Sequence, residues 1–436
     1  MSVNWLAKAG GPIRGRVRVP GDKSISHRAL MLAAIAEGSS RISGFLEGED
    51  TRATARILQQ LGVRIEAPGN GERLVHGVGL HGLVGSSSPL DCGNAGTGMR
   101  LMAGLLAGQA FASTLVGDAS LSARPMGRVI RPLTEMGARI GGLEGGLPPI
   151  RIEISNGLQA IDFKPEIASA QLKSAVLLAG LYAQGETCVR EPRPTRDYTE
   201  KMLRRFGWPL RIQGGEIRLS GGHKLHATDI DVPGDFSSAA FLIVAATLVP
   251  GSELLLESVG VSQRRTGLLT ALRLMGADIV EENRRAQGDE PVADLRVRHA
   301  ALHGVKLPVE LVPDMIDEFP VLFVAAALAS GETFIQEIGE LRVKESDRLS
   351  TMARSLAAIG VEVEEGVDSL RVYGGKIRGG VVDSRGDHRI AMAMAVAAQR
   401  AADELRIADC ANVDTSFPGF LGLATGSGFG LRIESR

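Results

Sequence analysis

The chain runs to 436 residues, more than one hydrophobic core usually serves, so two lobes are expected. Its 49 basic and 50 acidic residues leave a net charge of −1, which gives no general pull toward nucleic acid or anionic membrane; any anion site must come from local clustering. Three dispersed cysteines (Cys92, Cys188, Cys410) suggest neither a disulfide framework nor a zinc knuckle, and apolar runs such as 241–249 and 321–328 fall far short of the ~20 residues of a membrane helix, so a cytoplasmic protein is expected.

Six alanine-rich apolar segments follow in chain order, each reading as a helix buried nearly all round. Residues 29–36 come after Asp22-Lys23-Ser24 and His27-Arg28, and lead to Leu61-Gly62-Val63. Residues 99–107 come after Asn94-Ala95-Gly96-Thr97, with Arg100, and lead past Arg124 and Arg128 to Met136-Gly137-Ala138. Residues 175–183 come after Ser169-Ala170-Gln171, with Lys173, and lead past Arg196 to Phe206-Gly207-Trp208. Residues 239–248 lead to Met275-Gly276-Ala277. Residues 321–329 come after Asp317-Glu318 and lead past Lys344-Glu345 and Arg348 to Ile359-Gly360-Val361. Residues 390–398 come after Asp387-His388-Arg389 and lead to Ser427-Gly428-Phe429. Each glycine reads as the end of a second helix, free to take positive φ, with a strand behind it. The glycines stand 68 to 84 residues apart. Each copy is therefore β-α-β-α-β-β, and six copies suggest two lobes of three.

The boundary has its own signature. Val19-Pro20-Gly21-Asp22-Lys23-Ser24 recurs as Val232-Pro233-Gly234-Asp235-Phe236-Ser237, 213 residues later. Pro-Gly fits a turn, and chain crossings there would make a hinge with a cleft between lobes. Asp22 and Ser24 are explained as helix caps, because Asp235 and Ser237 repeat them. Lys23 and Arg28 become Phe236 and Phe241 at the same offset. The fold builds this helix start without charge, so these two cations point to function. Helix starts and arginines together suit a ligand set with several negative charges. Asp317 and Glu318 fit equally well as ordinary first-turn acids.

Two weaker patterns lead nowhere. Gly77-x-Gly79-x-x-Gly82 matches a dinucleotide fingerprint, but no helical pattern follows it. The pairs His299/His303 and His223/His226 have no evident third ligand, so no metal site is expected.

The clusters now reached resemble the enolpyruvyl transferase family over nearly the whole chain. The matching stretches are 20–28 (PGDKSISHR), 93–100 (GNAGTGMR), 117–128 (GDASLSARPMGR) and 169–178 (SAQLKSAVLL). Residues 316–320 (IDEFP), 341–348 (LRVKESDR), 386–392 (GDHRIAM) and 415–418 (TSFP) complete the set. The resemblance implies an α/β fold of two lobes, each of three βαβαββ units with buried parallel helices and outer sheets. Residues 1–20 plus 233–436 would form the C-terminal lobe and 21–232 the N-terminal lobe, with the active site in the cleft between them. It implies transfer of the enolpyruvyl group of phosphoenolpyruvate to 3-phosphoshikimate by a monomer, with no cofactor and no metal. Lys23, Ser24, Arg28, Ser169, Gln171, Arg196, Asp317 and Lys344 would hold 3-phosphoshikimate. Lys23, Gly96, Arg124, Gln171, Arg348 and Arg389 would hold phosphoenolpyruvate. Asp317 would accept the proton of the attacking hydroxyl, Glu345 would protonate the methylene carbon, and Lys23 would face phosphoenolpyruvate. Glyphosate, a longer phosphonate mimic of phosphoenolpyruvate, would inhibit, because Gly96 leaves it room and can offer a backbone N–H. The sister enzymes that use UDP-N-acetylglucosamine typically carry a cysteine where this chain has Ala119. Ala170 and Asp414-Thr415 depart from the pattern, replacing a second serine and a lysine found in other members.

Overall fold

The computed structural model describes residues 3–435. Chain contacts divide it into two units, one running from Gly21 to Val232 and the other combining the chain up to Pro20 with Pro233 onward. Each unit has its own apolar core.

In the Gly21–Val232 unit the buried helices are Lys23–Ala34, Gly96–Leu106 and Ala170–Gly180. In the other unit they are Phe236–Leu248, Phe319–Ala327 and His388–Ala398. All six lie on the expected segments but begin earlier. The polar residues expected just ahead of them sit inside their first turns: Lys23, Gln171 and Arg389 are helical. The reason is capping one residue further back. Asp22 accepts from the Ile25 amide at 2.9 Å, Asp235 from Ser238 at 3.1 Å, Ser169 from Leu172 at 3.4 Å and Asp387 from Arg389 at 3.0 Å. Each satisfies an N–H that would otherwise be orphaned, worth about 1 kcal/mol. Ser24 and Ser237 are not caps; Ser237 turns its hydroxyl to Glu318 and Arg265 instead.

The repeat glycines behave alike. Gly62, Gly137, Gly207, Gly276, Gly360 and Gly428 have φ of 89°, 92°, 85°, 100°, 87° and 119°, a region that costs other residues a Cβ clash. Each ends a helix and turns the chain into a strand two residues on, or three after Gly207.

The sheets share one plan, a short leading strand parallel to the next and two antiparallel strands beyond. Ile230–Asp231 pairs parallel with Glu37–Ser43, Leu90–Asp91 with Ser113–Val116, and Asp162–Phe163 with Glu186–Arg190. In the other unit Arg14–Val17 leads beside Glu253–Gly260, and Gly380–Asp383 beside Leu405–Ala408. In the fifth copy the leading strand shrinks to isolated bridges such as Lys306 with Phe334. Three copies take a strand from distant chain: Arg14–Val17 leads the fourth sheet, Ile230–Asp231 serves the helix that starts at Lys23, and Trp5–Lys8 fills the sixth sheet between Leu405–Ala408 and Gly430–Ile433.

Helix packing in the Gly21–Val232 unit is tight. A Cβ on Gly104 would collide with the Ala175 backbone of the neighbouring helix. Overpacking of this kind costs roughly 1–3 kcal/mol, so Gly104 sets the spacing of the two helices that carry Gly96 and Gln171.

Candidate active site

The Gly21–Val232 unit gathers cations at its buried-helix starts. Lys23 Nζ lies 2.9 Å from Asp50 Oδ2. Arg28 is buried and fully engaged: Nε donates to Thr199 Oγ1 at 2.7 Å, Nη2 to Ser174 Oγ at 2.8 Å and Nη1 to the Ser24 carbonyl at 2.9 Å. Burial and then the nearby Arg196 charge bring its pKa down to about 10, so it remains a cation at neutral pH. His27, between these two cations, is pushed down to about 3, first by burial, then by Lys23 and Arg28; it is neutral and donates or accepts at Thr54 Oγ1, 2.8 Å away.

Gly96 marks the second cluster. A Cβ there would stand 3.0 Å from Arg100 Nη1 and 3.0 Å from Arg124 Nη1. Arg124 donates to Asn94 Oδ1 at 2.6 Å and to Ser120 Oγ at 3.1 Å. Arg100 donates to Gln171 Oε1 at 3.1 Å, and Gln171 Nε2 to Thr97 Oγ1 at 2.8 Å. The Gly96 amide itself is spent on the Asn94 carbonyl at 2.9 Å. The expected N–H for an anion is therefore not offered here; what glycine contributes is the missing side chain between two guanidinium groups. Lys173 also differs from the binding residues grouped with it. It is 1 % exposed and lies 2.8 Å from Glu191 and 2.7 Å from Glu200, which makes it a core ion pair.

The other unit gathers its acids and cations around Arg348. This guanidinium has no exposed surface. It holds Asp387 at 2.9 Å, Glu345 at 2.5 Å and Asp317 at 3.4 Å. Burial disfavours its charge, but Asp387, Glu345 and Asp317 outweigh that and raise its pKa above the ordinary arginine value. Lys344 approaches Asp317 at 3.7 Å; burial lowers its pKa, with Asp317 working against the shift. Arg389 Nη1 donates to the Asp317 carbonyl at 2.9 Å. Asp317 and Glu318, alike in sequence, part company here: Glu318 is turned into the core, where Ser237 and Arg265 bind it.

Arg265 was not among the expected site residues. It is buried, and it bonds Asp235 at 3.0 Å, Ser237 at 2.6 Å and Glu318 at 3.2 Å. A signal for it does exist. It stands eleven residues ahead of the repeat glycine Gly276, as Arg196 stands eleven ahead of Gly207.

The two clusters differ in charge. In the Gly21–Val232 unit the cations Lys23, Arg28, Arg100, Arg124 and Arg196 outnumber the carboxylates recorded near them, Asp22, Asp50 and Glu200. In the other, Lys344, Arg348, Arg389 and Arg265 face Asp235, Asp317, Glu318, Glu345 and Asp387. The first carries an excess of positive charge, and the second holds its carboxylates among cations. Among the described residues no group of His, Cys, Asp and Glu could hold a metal, and no helix is long and apolar enough to cross a membrane. The Gly77–Gly82 glycines lie at a strand end with no helix behind them.

Six repeats in two units, with cation-bearing helix starts and paired acids, define an enolpyruvyl transferase fold. The enolpyruvyl transferase NikO from Streptomyces tendae shares it at a TM-score of 0.80 and 17% identity, over 100% of this chain and 99% of that one. The family model for EPSP synthase (3-phosphoshikimate 1-carboxyvinyltransferase) matches residues 7–423, and the chain belongs to that family. Two 3-phosphoshikimate 1-carboxyvinyltransferases are close in sequence. That of Xanthomonas campestris pv. campestris strain B100 is 60% identical over 98% of both chains. That of Xanthomonas oryzae pv. oryzae strain PXO99A is 61% identical over 98% of this chain and 97% of the relative. EPSP synthase from Acinetobacter baumannii superposes with a TM-score of 0.88 at 46% identity, over 99% of this chain and 100% of that one.

Proposed function

We propose that this chain transfers the enolpyruvyl group of phosphoenolpyruvate to the 5-hydroxyl of 3-phosphoshikimate, a step of the shikimate pathway. Phosphate and 5-enolpyruvylshikimate 3-phosphate are the products. The observation that carries this reading is the buried guanidinium of Arg348, shared by Asp317 at 3.4 Å and Glu345 at 2.5 Å. Attack of a hydroxyl on an enol needs two proton carriers at once, one for the oxygen and one for the methylene carbon. In this reading Asp317 takes the 5-hydroxyl proton while the oxygen bonds to C2. Glu345 delivers a proton to C3, giving a tetrahedral intermediate. The C2–O bond to phosphate then breaks, a C3 proton returns to the carboxylate, and the double bond re-forms.

The reactants bring two phosphates and two carboxylates. Lys23, Ser24, Arg28, Ser169, Gln171, Arg196 and Lys344 are assigned to 3-phosphoshikimate. Lys23, Gly96, Arg124, Gln171, Arg348 and Arg389 are assigned to phosphoenolpyruvate. The excess of cations in the Gly21–Val232 cluster supports an anion-holding role there. The enzyme is proposed to act as a cytoplasmic monomer, since one chain supplies both acids and all the cations and its three cysteines are free thiols. Following phosphate release with phosphoenolpyruvate and 3-phosphoshikimate tests the reading. Release should require both substrates. Release with UDP-N-acetylglucosamine in place of 3-phosphoshikimate would overturn it.

A further inference from the structure

The buried guanidinium of Arg265 is the one strongly engaged cation in its cluster to which no role has been given above. It reaches the cluster from the turn ahead of the Gly267–Leu274 helix, where its amide bonds the Ser262 carbonyl at 2.9 Å. The next residue back, Arg264, is half-exposed and pairs only loosely with Asp314 at 3.6 Å. Arg265 instead touches two segments far apart in the chain. Nη2 binds Asp235, the cap of the Phe236–Leu248 helix, and the Ser237 hydroxyl. Nη1 lies 3.2 Å from Glu318 Oε1 and 4.0 Å from Asp317 Oδ2.

We infer that Arg265 is a positioning residue for the base, holding Glu318 inward so that Asp317, the next residue back, presents its carboxylate to Lys344 and Arg348. The inference rests on the reading of Asp317 as the proton acceptor. The peptide that joins the two acids is gripped from both sides. Arg389 holds the Asp317 carbonyl at 2.9 Å, and Arg265 holds the Glu318 side chain. Arg389 also lies 3.7 Å from Glu318 Oε1, and the Ser237 hydroxyl donates to the same oxygen, so Arg265 is one of three groups that fix the segment. Together they keep the Asp317 carboxylate where Lys344 stands at 3.7 Å and Arg348 at 3.4 Å. The repeat supplies a parallel. In the Gly21–Val232 unit the helix start carries its own buried guanidinium, Arg28; here Phe241 takes that position, and the guanidinium beside the helix start arrives from Arg265.

A purely structural ion pair would show the same contacts, so the test must separate the two. Removing Arg265 alone strands the buried Glu318 and Asp235 carboxylates and can unfold the unit. The double variant Arg265→Met with Glu318→Gln removes the pair together, and Asp235 keeps the Ser237 and Ser238 amides that it caps. It should lose less stability to denaturant than Arg265→Met alone and keep the KM values of the wild type. Its kcat should fall by about 10-fold or more, because small displacements of a reacting group are costly. The pH profile gives a second readout. The charges facing Asp317 are Lys344, Arg348, Arg265 and, beyond the peptide, Arg389 and Glu318; Glu345 and Asp387 share Arg348. In Arg265→Met a nearby positive charge is lost while Glu318 stays negative, so the acid limb of kcat/KM should move to higher pH. Arg265→Lys should return the limb toward its wild-type position. Wild-type kcat in the double variant, or an unmoved limb in Arg265→Met, would reduce Arg265 to a structural ion pair and overturn the inference. Asp317→Asn in the same assay separates the two failures: if that variant turns over normally, the base assignment itself falls and the inference with it.

Discussion

Asp317 holds its carboxylate 3.4 Å from the Arg348 guanidinium, while Lys344 stands on it at 3.7 Å. Two cations favour the ionised form, which is what a proton acceptor must have at neutral pH. They also limit how basic it can be, so the substrate hydroxyl must be delivered to it in register. Asp317→Asn keeps the shape and removes the base. Turnover should fall by about 10²-fold or more, with 3-phosphoshikimate binding preserved. Steady-state kinetics together with a titration of ligand binding would check both halves. Near-wild-type turnover would take Asp317 out of the mechanism.

His27 gives the Gly21–Val232 unit a pH-dependent weakness. Its folded pKa of about 3 lies below the ordinary 6.5, because burial and then Lys23 and Arg28 oppose its charge. Above about pH 6.5 both folded and unfolded chains carry it neutral, and its contribution to stability is fully present. As pH falls below that value the unfolded chain takes up a proton that the folded chain refuses. Stability should then drop by about 1.4 kcal/mol per pH unit from this group alone, until the pH nears the folded value. Urea unfolding of wild type and His27→Gln at about pH 7, 6 and 5 would isolate the term. The variant loses packing at every pH, but its slope should be shallower. Parallel slopes would assign the acid sensitivity to other groups.

Much of this architecture could be read from residues whose role is local. The positive φ at Gly62, Gly137, Gly207, Gly276, Gly360 and Gly428 requires glycine, so the repeat leaves a trace that survives divergence elsewhere. The buried helices announce themselves through apolar runs, and their starts through Asp22, Asp235 and Asp387. What escaped the sequence depends on partners far along the chain. Lys173 reads like its binding neighbour Gln171 until Glu191 and Glu200 are found beside it in the core. Arg265 reads like the half-exposed Arg264, because Asp235, Ser237 and Glu318 converge on it only through tertiary packing. Asp317 and Glu318 are indistinguishable as residue types; only their opposite orientations assign one to the solvent-reachable cluster and the other to the core. The Gly96 amide escapes a sequence reading for a related reason: the turn at Asn94 engages it locally, at 2.9 Å.

Gly96 carries the last prediction. A methyl added there would sit 3.0 Å from both Arg100 Nη1 and Arg124 Nη1, and 3.6 Å from Leu121 Cδ1. Contacts at 3.0 Å are too short to keep, so both guanidinium groups must give way by a few tenths of an ångström. The space lost lies between Arg100 and Arg124, the second of which is assigned to phosphoenolpyruvate. A short anion such as phosphoenolpyruvate can still be held by the displaced arginines, at some cost in KM. Glyphosate, with similar charge but greater length, needs the volume that the methyl takes. Wild-type enzyme should therefore show inhibition by glyphosate that competes with phosphoenolpyruvate. Gly96→Ala should raise the inhibition constant by about 10-fold or more, equivalent to about 1.4 kcal/mol, and raise the KM for phosphoenolpyruvate by less. Inhibition kinetics at several phosphoenolpyruvate concentrations would give both numbers. If the wild type turns over normally in a large molar excess of glyphosate, the space at Gly96 is not what decides sensitivity. Ala170 and Thr415, where this chain departs from other members of the family, would then be the positions to exchange next.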